Sequence, residues 1–165
     1  MRTDDAKLYV LGVRAEPTAF HWAVVSGTSH TPVLEDSNVE TAPTAYSSGE
    51  SLAWIRDRFL QVIDSYRPAK VAVRFPEGNA MSTRTDAAKA RCRVEGVVME
   101  AAASRNIELV TGALNTFKKH SGSQSPKEDL AKQDLRGLDW SRYPDVKRRE
   151  AILVAASVLP QRVGL

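Results

Sequence analysis

Three runs of apolar residues near the start of the chain predict three consecutive β-strands. The first two cover residues 8–13 and 19–25, and the Glu-Pro-Thr sequence at 16–18 between them has the composition of a tight turn. A third strand is predicted within residues 31–41. Successive strands joined by short turns pair antiparallel, so the three are expected to form a meander. Arg14 follows the first apolar run directly and is expected to mark the end of that strand.

The rest of the chain alternates between helical and strand patterns. Apolar residues recur at the helical period in the predicted helices, Pro68 ends the first of them, and Asp145 is suited to cap the last. The predicted elements are a helix over 48–66, a strand over 69–75, a helix over 85–104, a strand over 107–110, short helices over 117–122 and 127–135, and a helix over 146–159. We therefore expect one α/β domain over residues 1–165, with a five-stranded sheet flanked by helices.

Composition narrows the class of protein without naming its function. The chain has 165 residues, of which 42% are hydrophobic and 26% charged, as in ordinary globular proteins. Its single cysteine, Cys92, excludes an internal disulfide framework and a cysteine-based zinc site. No apolar run approaches the roughly 20 residues of a membrane helix, and acidic residues stand where a signal peptide would be apolar, so we expect a cytoplasmic protein with no membrane partner. The formal charge of +3 permits nucleic-acid binding but does not require it.

Five segments, in a consistent order and spacing, resemble one known family. They are Leu-Gly-Val-Arg at 11–14, the helix end and strand at 66–74, the helical segment at 90–97, Phe-Lys-Lys-His-Ser-Gly at 117–122 with Lys127 after it, and Glu-Ala-Ile-Leu-Val-Ala at 150–155. Together they resemble the RuvC-type Holliday-junction resolvases of the ribonuclease H-like superfamily. The resemblance implies a mixed five-stranded sheet, in which an antiparallel meander is followed by strands that alternate with helices.

The resemblance also implies a two-metal site for phosphodiester cleavage, but the carboxylates of that site are mostly replaced. The family has an Asp on the first strand, a Glu on the fourth and two Asp on the last helix, and such oxygen ligands suit a pair of hard divalent ions. The matching residues here are Arg14, Arg74, Lys147 and Glu150. A guanidinium group has no lone pair to offer a metal and repels a cation. We therefore predict a degenerate site that binds no metal and a protein that needs no cofactor.

Cations that replace acids in a partly buried site require counter-charges. The planar fork of arginine matches a carboxylate, and a partly buried ion pair needs good geometry to offset desolvation. We predict a contact between Arg14 and Glu150, or between Arg74 and Glu150, that would take the place of the metal ions in holding the site together.

A second interpretation keeps a metal site by shifting the acids. Glu16 lies two residues after Arg14, Glu77 follows Arg74 by three, and Asp145 is close to Glu150 in the sequence. Under this interpretation, Glu16, Glu77, Asp145 and Glu150 would form a cluster that binds Mg²⁺. The other interpretation of Glu16 and Glu77, which we favour, is that they are turn residues facing water.

One basic segment could contact nucleic acid. The resemblance places Lys118, Lys119, His120 and Lys127 near a nucleic-acid backbone. The alternative is a solvated loop that is basic without a binding role.

Two functions from different classes therefore remain open. The first is a catalytically inactive RuvC-like protein, a pseudo-nuclease that binds nucleic acid or acts as a scaffold. Its partners would be DNA, RNA or another protein, and a helix face that pairs subunits in the family could make it a homodimer. The second is an active metal-dependent endonuclease that cleaves branched DNA with relocated acidic residues.

Overall fold

A computed structural model describes residues 6–78, 85–121 and 125–162, apart from the side chains of residues 120 and 121. Its main feature is a five-stranded sheet whose first three strands form the predicted meander. The strands are β1 (Val10–Glu16), β2 (Ala19–Gly27), β3 (Pro32–Thr41), β4 (Lys70–Arg74) and β5 (Glu108–Gly112). They lie in the order β3-β2-β1-β4-β5, and β4 runs parallel to both β1 and β5. The predicted mixed sheet is confirmed.

Five α-helices accompany the sheet in the described part of the chain. They are α1 (Ser48–Tyr66), α2 (Asp86–Ser104), α3 (Leu114–Ser121), α4 (Pro126–Ala131) and α5 (Val146–Ser157). Helix α1 begins with a reciprocal capping box, in which the hydroxyl of Ser47 accepts from the backbone N–H of Glu50 and the Glu50 carboxylate accepts from that of Ser47. Asp145 caps α5 as predicted, since its carboxylate accepts from the backbone N–H of Lys147 at 2.9 Å. No described helix is long and apolar enough to cross a membrane.

The sheet separates two apolar layers because successive strand residues point to opposite faces. On one face, Leu11 and Val13 of β1 pack with buried residues of α1 and α2. On the other face, Val10 packs with α5, which is buried along most of its length. Helices α3 and α4 complete this second layer.

Gly12 allows α5 to lie directly on β1. A Cβ atom at this position would stand 1.9 Å from the carbonyl oxygen of Ala151 and 2.8 Å from Cβ of Ala155. Both distances are far shorter than van der Waals contact, so only glycine permits this approach. The close packing brings Glu150, which precedes Ala151, to the end of the sheet where Arg14 lies.

Several predicted boundaries are wrong, and helix α3, predicted to begin at residue 117, begins at Leu114. Strand β1 does not end at Arg14, because Ala15 and Glu16 continue its pairing with β2. Glu16 is consequently a strand residue, and the turn contains only the two residues that follow it.

The helix predicted over 127–135 ends at Ala131. Residues 134–135 instead form β6 (Asp134–Leu135), which pairs with β7 (Leu138–Asp139) in a small hairpin. Its two turn residues, Arg136 and Gly137, have φ of 49° and 94°. Positive φ at both central positions is typical of a type I′ hairpin turn, and the glycine there was the signal for it in the sequence.

Candidate functional site

One buried carboxylate bridges two arginines on neighbouring strands. Arg14 and Arg74 are register partners in the parallel pair β1–β4. One carboxylate oxygen of Glu150 accepts a hydrogen bond from Nε of Arg14 at 2.6 Å. The other oxygen lies 3.4 Å from Nη2 of Arg74. The side chains of Arg14, Arg74 and Glu150 are only 14%, 10% and 9% exposed, respectively. Both contacts offered as alternatives by the sequence are therefore present together.

A second buried ion pair lies on α2. Nε of Arg91 donates to Glu95 at 3.0 Å, one helical turn further along, and the two side chains are 13% and 7% exposed. The sequence reasoning assigned no ion pair to Glu95. The available signal was an Arg and a Glu at positions i and i+4, next to the buried Val94 and Val98. Arg14, Arg74, Arg91, Glu95 and Glu150 are called the arginine cluster below.

The arginine cluster is desolvated and holds more cations than anions. Burial raises the pKa of the Glu95 carboxyl, and Arg91 opposes this rise only in part. Burial lowers the pKa of the guanidinium groups of Arg74 and Arg91, and their proximity to Arg14 lowers it further. Nε of Arg74 and Nη2 of Arg91 are buried without a hydrogen-bond partner among the described residues. Three guanidinium groups thus share two carboxylates, and part of their donor capacity is unused.

A second group of charges adjoins the cluster at the end of β1. The carboxylate of Glu16 accepts from Nζ of Lys147 and lies 2.7 Å from Nε2 of His21. The other ring nitrogen of His21 is 3.9 Å from Asp145. Burial by itself would raise the pKa of Glu16, but the hydrogen bonds from Lys147 and His21 outweigh it and hold that pKa below its ordinary value. Lys147 is therefore tied to an acid that the sequence reasoning placed in a turn.

We expect that replacing Glu16 with glutamine removes part of the protein's loss of stability in acid. The folded pKa of Glu16 lies below its ordinary value of 4.5. Its ionised form therefore contributes stability that is present above that pH and is lost as the pH falls through the folded pKa. Urea unfolding at neutral pH and below pH 4.5 should show a smaller acid-induced loss in Glu16→Gln than in the unmodified protein.

The matched control is Glu108→Gln, since Glu108 forms only an exposed pair with Lys70 at 3.8 Å. It should retain the acid-induced loss of the unmodified protein. Equal losses in the unmodified protein and in Glu16→Gln would contradict the role given to the Glu16 contacts.

The alternative acidic cluster does not assemble. Glu77 accepts from the backbone N–H of Leu114 at 3.2 Å and lies 3.9 Å from Arg74, while Glu16 and Asp145 are on the His21 side. Among the described residues, no group of three His, Cys, Asp or Glu side chains is placed to hold a metal ion. Glu150, the one acid among the four predicted degenerate positions, has both oxygens directed at guanidinium groups. The residues present therefore do not fit a pair of divalent ions.

Part of the predicted basic segment lies near the cluster. Lys127 of α4 lines a cleft of about 490 Å³ together with Arg74, Glu77 and Glu150. Lys118 and Lys119 are exposed on α3, which packs against α5. His120 is also in α3, but its side chain lies outside the described part of the chain. The structure thus places Lys127 beside Arg74 and Glu150. The role of the basic segment in binding nucleic acid stays a prediction.

No protein-family model and no curated protein sequence matches this chain. Solved structures do match it. Thermus thermophilus RuvC is 21% identical with a TM-score of 0.73, and the alignment covers 91% of this chain and 92% of that one. T. thermophilus RuvC in complex with a Holliday junction substrate is 18% identical, with a TM-score of 0.70 and 91% of both chains covered. The yeast mitochondrial Holliday junction resolvase Ydc2 is 11% identical, with a TM-score of 0.61 and coverage of 90% and 78%.

Sequence identities this low establish a shared fold and nothing finer. The alignments nevertheless extend over about nine-tenths of this chain, so the likeness concerns the fold as a whole. The resemblance predicted from the sequence is confirmed at this level: the chain has the ribonuclease H-like fold of the RuvC-type Holliday junction resolvases.

Proposed function

We propose that this protein is a catalytically inactive RuvC-like protein that binds branched DNA without a metal ion. The observation that carries the proposal is the bridge from Arg14 through Glu150 to Arg74. It occupies the positions that the resemblance equates with the metal-binding carboxylates. An ion pair there substitutes for metal ions in holding β1, β4 and α5 together.

Charge and donor chemistry both oppose a divalent ion at this place. A unit charge about 4 Å from another interacts by roughly 4 kcal/mol at an effective dielectric of about 20, and a divalent ion doubles that repulsion from each guanidinium group. A metal could use Glu150 only by breaking its contacts with both arginines. That would leave two buried cations without their counter-charge, which is costly.

Cations around the degenerate site support DNA as the partner. Lys127 lines the cleft beside Arg74, and the exposed Lys118 and Lys119 lie on the helix that packs against α5. Phosphate groups are bound by such side chains with little regard to base sequence. A RuvC structure with this fold was solved with a Holliday junction, which makes a four-way junction the natural first ligand to test.

The protein is expected to bind a four-way DNA junction in EDTA, to gain no affinity when Mg²⁺ is added, and to cleave the junction in neither Mg²⁺ nor Mn²⁺. Fluorescence anisotropy with a labelled junction measures binding, and its affinity should fall steeply with salt because phosphate contacts release counterions. Calorimetric titration of Mg²⁺ and Mn²⁺ into the protein alone should show no binding.

The role of the basic segment is tested by reversing the charges of Lys118 and Lys119. Both side chains are exposed, so the fold should be unaffected. This variant should bind the junction more weakly. Failure of the unmodified protein to bind DNA would overturn the proposal. Metal binding that is abolished by Glu150→Ala, together with junction cleavage, would instead establish the endonuclease with relocated acids.

A further inference from the structure

A cavity of about 250 Å³ lies beside the arginine cluster, and three cations and one acid are among the residues that line it. Arg14 of β1, Arg91 of α2 and Lys147 of α5 line it, together with Glu16. These residues come from three different elements, so only the folded chain brings them together. The cavity is distinct from the cleft that contains Lys127, with which it shares no lining residue.

The carboxylates that partner these cations are mostly absent from the cavity wall. Glu150 and Glu95 pair with Arg14 and Arg91 but do not line the cavity. Glu16 does line it and is paired with Lys147. A group entering the cavity therefore meets two guanidinium groups and one ion pair between an ammonium group and a carboxylate.

Arg91, which lines the cavity, does not use all of its hydrogen-bond donors among the described residues. Nη2 of Arg91 is buried and has no partner in the part of the chain that the structure describes. Buried donors are nearly always satisfied in folded proteins, so this unused donor leaves Arg91 incompletely paired. Burial and the charge of Arg14 both lower the pKa of Arg91, so its charged form is disfavoured. An anion in the cavity would favour that charged form.

The first turn of α2 faces the same cavity. Ala87 and Ala88 line it, and Thr85 caps the helix by accepting from the Ala88 backbone N–H at 3.1 Å. A helix N-terminus favours a negative group through its backbone N–H donors and its dipole. Asp86, the acidic residue of this turn, is exposed and does not line the cavity.

We propose that Arg14, Arg91, Lys147 and the start of α2 form a direct binding site for a backbone phosphate of nucleic acid. This inference rests on the proposed DNA-binding function and names the group that is bound. The guanidinium forks would donate hydrogen bonds to the phosphate oxygens. Positively charged side chains would thus hold the phosphate in place, as divalent ions do in a metal-dependent nuclease. The site would bind the DNA backbone and leave it intact.

The test compares junction binding by three variants in EDTA over a range of salt concentrations. Arg91→Gln/Glu95→Gln removes the guanidinium group of Arg91 together with its buried counter-charge, so that no buried acid is left unpaired. Lys147→Gln alters the same wall at a side chain that is 45% exposed, where the fold tolerates change. The matched control is Arg105→Gln, because Arg105 also pairs with one acid at 3.0 Å but lies at the opposite end of α2 and outside the cavity.

Both cavity variants are expected to bind the junction about tenfold more weakly and to lower the salt slope by about one, which is the loss of one phosphate contact. Arg105→Gln should match the unmodified protein in both measurements. Inorganic phosphate, added as a competitor, should weaken junction binding by the unmodified protein more than by the cavity variants.

The outcomes separate this inference from the proposed function. If the unmodified protein binds the junction and both cavity variants bind it with unchanged affinity and salt slope, the phosphate site is wrong and DNA binding stands. If the unmodified protein does not bind the junction, both are wrong. Should the double variant fail to fold by circular dichroism, Lys147→Gln decides the question alone.

Discussion

Glu150→Gln is expected to destabilise the protein by about 3–5 kcal/mol, the range seen when one partner of a buried ion pair is removed. The substitution keeps the size of the side chain and removes its charge. It leaves Arg14 and Arg74 facing each other from adjacent strands with no carboxylate between them. Urea unfolding at neutral pH, followed by circular dichroism, measures the change in the free energy of unfolding.

Glu100→Gln is the matched control for this prediction. Nε of Arg56 contacts Glu100 at 2.7 Å, almost the same distance as between Arg14 and Glu150. The Arg56 and Glu100 side chains are 39% and 57% exposed, so water screens their interaction and the unfolding midpoint should not change. Similar small shifts in both variants would show that the Arg14–Glu150–Arg74 bridge does not hold the site together.

A triple variant separates the loss of the bridge from the burial of unpaired charge. Arg14→Met/Arg74→Met/Glu150→Leu removes all three charges and keeps apolar volume at the end of β1 and β4. Replacing a whole buried ion network by apolar residues is often neutral or stabilising. The triple variant should therefore be more stable than Glu150→Gln. A triple variant as unstable as the single one would mean that packing around α5, rather than charge, causes the loss.

Gly12→Ala is expected to cost at least about 3 kcal/mol, at the upper end of overpacking effects. Its Cβ would overlap the carbonyl oxygen of Ala151, which is backbone and cannot rotate away. Helix α5 would have to move off β1, and Glu150 would move away from Arg14 with it. Urea unfolding measures the loss, and junction binding should weaken in parallel if the arrangement of this site matters for binding.

Gly96→Ala provides the control for Gly12→Ala. Gly96 lies within α2, and a Cβ atom added there would meet nothing within 4 Å. Alanine should stabilise the protein at this position by about 0.5–1 kcal/mol through helix propensity. A neutral Gly12→Ala variant would contradict the close approach of α5 to β1.

Local patterns were sufficient to predict most of the architecture. Strand alternation, helical periodicity and the caps act within a few residues of one another, so the meander, α1, α2 and the start of α5 could be predicted from the chain, whereas the mixed sheet was implied by the resemblance. The small hairpin from β6 to β7 was missed because a two-residue turn interrupts a segment with otherwise helical composition. The extension of β1 to Glu16 was missed because pairing with β2 overrides the polar composition there.

The sequence by itself determined that Arg14, Arg74 and Lys147, at positions where the resemblance predicts metal-binding acids, cannot ligate a metal, since residue type alone decides this. Only the tertiary structure decided that Glu150 bridges both arginines, that Arg91 and Glu95 are buried beside them, and that Glu16 pairs with Lys147. Arg14 and Glu150 are 136 positions apart, and Glu16 and Lys147 are 131 apart. Such contacts depend on how closely α5 and α2 pack on the sheet, and no pattern of neighbouring residues encodes that distance.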